Sequence, residues 1–163
     1  MRVSEEIMNI KQDKMTTDKI IIKNALLITF LIGGFFLLCK LVGLEENPYL
    51  RFLNLAFVLF GIYLAIKESV YKNNETKYTT NLGIGIRTSV IAVILSIIGV
   101  VIYVQFINPD FLTVMNNSFL IGGNLTLPEV VITLLIEGMA SSFIGSFIIM
   151  QFYKNHDKEN LNK

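Results

Sequence analysis

Tryptophan is absent from this 163-residue chain, and cysteine and histidine occur once each, as Cys39 and His156. A lone cysteine builds neither a disulfide framework nor a cysteine metal site within one chain. Cys39 sits inside an apolar run and reads as a small buried hydrophobe. One histidine in a polar tail leaves almost no material for His-based metal sites or nucleophile–base pairs. No "GK[ST]" phosphate loop and no serine elbow occurs. The "LGIGIR" stretch at 82–87 has two glycines but lacks the third glycine and the preceding strand of a dinucleotide loop, so close helix packing explains it better. Net charge is nearly absent too: 14 Lys and Arg stand against 13 Asp and Glu, which leaves no field to attract nucleic acid. No cofactor is implied. Without a convergent acid, base and nucleophile, the expectation is a protein that is not an enzyme.

Apolar residues are what the chain has in quantity. It is 53% hydrophobic with a mean hydropathy of +0.58, above the level of a soluble domain of this length. Four apolar runs, 20–44, 50–69, 82–107 and 128–153, are each near the roughly 20 residues that cross a hydrocarbon core of about 30 Å. Polar tails, 1–19 and 154–163, flank them. The third run is uncharged from Thr88 to Ile107 and is the clearest span. The first two have short uncharged cores, Asn24 to Cys39 and Phe52 to Ile66, and they span only if Lys23, Lys40, Arg51 and Lys67 snorkel. The N-terminal tail carries no small-residue cleavage site after an apolar stretch, so the first run is expected to stay as a membrane helix, with the start at Met1, Met8 or Met15 open.

The first two connections, "EENPY" and "YKNNETKYTTN", are short and polar, as an up-down bundle requires. The third is longer. Asn108 as N-cap and Pro109 as first residue begin a helix whose Phe111, Met115 and Phe119 share a face, with Gly122 ending it, and this spacing predicts a helix lying at the membrane interface. Thr126 and Glu129 stand in capping-box spacing at the fourth span. The fold class expected is therefore all-α: an integral membrane protein of four transmembrane helices in an up-down bundle, with a short interfacial helix between helices 3 and 4. Basic residues set its direction. One face collects Arg2, Lys11, Lys14, Lys19, Lys23, Lys67, Lys72, Lys77, Arg87, Lys154, Lys158 and Lys163, against Lys40 and Arg51 on the other, which predicts both termini in the cytoplasm. Tyr49, Tyr71, Tyr103 and Tyr153 fall near the boundaries. Asn116 and Asn124 begin glycosylation triplets on the outer side, relevant only in a cell with that secretory route.

One ionisable residue lies deep inside a span. Glu137 is about 13 Å from the outer start of the fourth helix, where a charged side chain costs about 2.5 to 3.5 kcal/mol on insertion scales. It is expected to face the bundle, find a partner or be protonated. Glu137, Ser141 and Gly145 share a face, with Gly138 and Ser142 beside it, so another helix approaches closely there. Lys40, Asn54 and Tyr63 are the candidate partners, and Arg87 matches least. Glu137 is then either a structural pin between helices or the protonatable switch of a small transporter or flippase, which four helices would build as a dimer.

From Ala65 to Phe111 the chain reads "AIKESVYKNNETKYTTNLGIGIRTSVIAVILSIIGVVIYVQFINPDF". This resembles a bacterial family of small four-helix inner-membrane proteins known only as a domain of unknown function. As in that family, an Ala-Ile-Lys run closes the second helix, a short basic loop and a glycine-rich helix start follow, and a Pro-Asp pair, Pro109 and Asp110, ends the third. The resemblance implies a four-helix fold in a bacterial inner membrane and transfers no catalytic residue. It also implies, more weakly, a membrane glycosyltransferase as neighbour and partner. The partners expected are the lipid bilayer and either a second copy or a larger membrane protein, to which this chain would be a non-catalytic accessory or assembly subunit.

Overall fold

A backbone in hydrocarbon must satisfy its own N–H and C=O groups, so each apolar run becomes one unbroken helix. The computed structural model describes residues 16–44, 50–118 and 125–153. Helix α1 is Thr17–Leu41, α2 Leu50–Asn73, α3 Tyr78–Ile102, α4 the short Phe111–Ser118, and α5 Leu127–Phe152. A π-helical turn, Tyr103–Ile107, extends α3. The long helices have 24 to 26 residues, more than a hydrocarbon core requires.

Local chemistry ends and starts them. Helix α1 closes in a Schellman motif: the Gly43 N–H bonds the Lys40 carbonyl at 3.1 Å and the Leu44 N–H bonds the Cys39 carbonyl at 2.9 Å. Gly43 holds the left-handed φ of 72° that this motif needs and that a Cβ would oppose. At the start of α5 the expected capping box is present, with Glu129 accepting from the Thr126 N–H at 2.7 Å.

Helix α3 packs against α1, α2 and α5, and α2 also packs against α1 and α5, so α2 and α3 form the middle of the bundle. The core between them joins Ala25, Ile28, Val58, Ile62, Ile66, Ala92, Ile149 and Met150. Two glycines set the closest crossings. A Cβ on Gly61 would overlap Ile28 of α1, and a Cβ on Gly138 would lie 2.5 Å from Cγ1 of Val93 on α3. Outward the bundle is greasy: Phe30 is 76% exposed, and Phe106 and Phe152 are each 79% exposed. On a water-facing surface such side chains would drive aggregation, whereas against lipid tails they are the expected wall.

Helix α4 is the short helix expected between helices 3 and 4, and it differs from the expectation in where it starts. The Pro109–Asp110 pair forms a turn and the helix begins at Phe111, whose N–H bonds the Asn108 carbonyl at 3.2 Å. Its apolar face packs on the end of the bundle. Phe111 is buried edge-on against Phe36 and Tyr103, at ring distances of 5.1 and 5.3 Å, and Met115 packs on the same cluster. Burying a phenylalanine against two rings removes more apolar surface from water than half-immersion among headgroups, which is why α4 caps the bundle end. Phe119 and Gly122 lie outside the described residues.

Candidate functional site

Two polar belts mark the ends of the membrane-crossing region. Lys23 and Lys40, about 26 Å apart along α1, are its uncharged core's two boundaries, and each is engaged by another helix. At the Lys23 end, Glu68 of α2 accepts hydrogen bonds from Lys23 and from Asn24 Nδ2, the latter at 3.1 Å, and lies 3.5 Å from Lys72 one turn on. Asn24 also donates to the Ile20 carbonyl at 2.9 Å, which fixes its amide. Next to Glu68, the Ser69 hydroxyl donates at 2.7 Å to Oδ1 of Asn81, whose amide donates at 2.8 Å to the Glu75 carbonyl. One buried asparagine thus stitches the α2–α3 hairpin, at a turn where Asn74 takes a positive φ of 51°. At the Lys40 end, the Lys40 ammonium bonds the Tyr103 hydroxyl at 2.6 Å and lies 4.8 Å from its ring centroid. Both lysines stand at a membrane boundary beside a polar partner, as snorkelling requires.

The sequence analysis did not single out Glu68, Asn24 or Asn81. Each sits at a span end, where polar residues look like ordinary flanks. The available signal was the spacing of Glu68 to Lys72, four residues apart on one helix face.

Helix α5 packs through Gly138, Ser142, Gly145 and Ser146. The Ser142 hydroxyl is buried and donates to the Gly138 carbonyl at 2.8 Å, and an added Cβ on Gly145 would meet Leu59 at 3.0 Å and Ile62 at 3.3 Å. Glu137 is one residue, about 100° of helix rotation, away from this face. It is therefore exposed on the outer side of α5, beside Ile136, instead of facing the core, and Ser141 is half-buried at the edge. Glu137 has an interaction within the chain, and its neighbour Gly138 packs at the level of Val93, about 15 Å below Tyr103 along α3.

The expected partners do not gather into one site. Lys40 is at one end with Tyr103. Tyr63 is at the other, its ring 6.2 Å from that of Tyr153 and under the Lys67 ammonium at 5.6 Å. Asn54 is half-buried on α2, and its Oδ1 is buried without a hydrogen-bond partner among the described residues. Arg87 is exposed on α3.

Four long apolar helices, a lipid-compatible exterior and a packed centre define a small multi-pass membrane bundle. The chain belongs to the family described as Protein of unknown function (DUF4199), whose model matches residues 20–155. No curated protein and no solved structure matches it.

Proposed function

We propose that this protein is a non-catalytic accessory or assembly subunit that works by helix packing against another membrane protein or a second copy. The closed centre of the bundle carries this reading. At Gly61 and Gly138 neighbouring helices approach so closely that a Cβ has no room, and Ile28, Ile62, Ile66 and Met150 beside these crossings are fully buried. A transport path through a single chain needs a wet cavity at mid-depth, whereas this centre is closely packed, with the fully buried hydroxyls of Thr88, Ser89, Ser142 and Ser146 set among aliphatic side chains. The acids stand apart as well: Glu68 is held by two lysines and Asn24, and Glu129 by its own helix cap, so neither serves Glu137 as an acid–base partner. In this reading the outer face of α5 is the docking surface, and the exposed part of Glu137 is its polar point. The protein works in a bacterial inner membrane with both termini cytoplasmic, the direction that the basic residues favour.

A dimeric transporter or flippase is the second reading, favoured by the same exposure, since a path between two copies would be lined from outside α5. Two substitutions separate them. For a docking subunit, Glu137→Gln keeps the assembly and the cellular function because the amide still hydrogen-bonds, while Glu137→Leu yields a folded chain that runs alone on native gels. A Gln variant that assembles normally yet is functionless contradicts the subunit reading and supports proton coupling.

A further inference from the structure

At the Lys23 end of the bundle a cleft of about 390 Å³ opens between α2 and α5, lined by Tyr63, Tyr71, Ile149, Phe152 and Tyr153. Lys67 stands over the Tyr63 ring, 5.6 Å from its centroid, with its side chain exposed. We propose that this cleft binds an anionic phospholipid, the phosphate beside Lys67 and the first part of an acyl chain along Ile149 and Phe152.

Three observations support that occupant. The first is depth: Ile66 ends the uncharged core of α2, so Lys67 stands where headgroups begin, and the three tyrosines ring the same level as interfacial side chains do. The second is charge. The nearest acid along α2, Glu68, is turned to α1, where Lys23 and Asn24 hold it, and among the described residues this leaves the Lys67 ammonium as the charge on the α5 side. The third is shape. The walls are aromatic and aliphatic, the cleft is open, and Phe152 in its wall is 79% exposed, as an acyl chain entering from the bilayer needs.

Native mass spectrometry of the full chain in a neutral detergent, titrated with phosphatidylglycerol or phosphatidylcholine, tests this. Wild type is expected to hold phosphatidylglycerol about five-fold more tightly, the effect of one lysine on an anionic headgroup. Lys67→Gln should remove that preference, while Lys19→Gln, an exposed lysine of α1 at the same end, should keep it. Phe152→Ala should weaken both lipids by shortening the apolar wall. No preference in wild type, or an undiminished one in Lys67→Gln, overturns the proposal. So does competition by glycerol phosphate alone, which would make a free anion the ligand. A Phe152→Cys chain with Cys39 replaced that crosslinks to a second copy would put a protein in the cleft and overturn it too.

Discussion

Gly61→Leu is expected to abolish the folded bundle, whereas Gly33→Leu is expected to fold as wild type does. At Gly61 the new side chain would start inside the volume of Ile28, which is fully buried and hemmed in by the α1–α2–α3 core, so neither residue has an empty rotamer to move into. Overpacking of this kind costs about 1 to 3 kcal/mol even for extra methylenes. Here a whole isobutyl group must separate two helices and undo the burial on both. Around Gly33 an added Cβ meets nothing within 4 Å, so leucine there only adds to the lipid-facing surface. Size-exclusion profiles of detergent extracts separate the two: a sharp monodisperse peak for Gly61→Leu would show that α1 and α2 do not cross at this contact. Gly61→Ala is the graded version, with a loss of about 1 to 3 kcal/mol expected in mixed-micelle unfolding.

Asn81→Leu is expected to lower stability by about 1 to 3 kcal/mol, the desolvation penalty of polar groups left unpaired. Asn81 is 2% exposed and Ser69 1% exposed, so water does not readily replace the amide that joins the Ser69 hydroxyl to the Glu75 carbonyl. The informative measurement is a double-mutant cycle with Ser69→Ala. Removing both partners should cost less than the sum of the single losses, with a coupling of about 1 kcal/mol. Strict additivity would mean that the two side chains do not bond. The effect is local to the hairpin, and Lys40→Met at the opposite end should neither add to it nor offset it beyond simple addition.

These two residues also show where reading a sequence stops. The four spans were legible because length and uniform apolarity are sufficient to define a membrane helix, and the Thr126–Glu129 cap was legible because it needs only a local spacing. Helix facing was not. A span that is apolar on all sides carries no stripe to tell core from lipid, so the small residues of α5 had to serve as the guide. They form two overlapping stripes that share Gly145, one through Glu137 and Ser141 and the other through Gly138 and Ser142. The structure packs the second, which turns Glu137 outward. Asn81 and Glu68 escaped notice for a related reason: their worth comes from Ser69, Glu75, Lys23 and Asn24, and partners on other helices have no fixed spacing in the chain. The π-helical turn at Tyr103–Ile107 had no sequence mark either, although it carries the Tyr103 hydroxyl that holds Lys40.

In the proposed function, the outer face of α5 around Glu137 is covered by protein in the membrane. A photo-crosslinking residue at Ile136, which is 64% exposed beside Glu137, measures this most directly, with Phe30 on the outer face of α1 as the lipid-facing reference. Irradiation of intact cells should give one discrete protein adduct from Ile136, none from Phe30, and loss of the Ile136 adduct when Glu137→Leu is introduced. An Ile136 chain that crosslinks only lipid, or that gives the same adduct with and without Glu137, would contradict it.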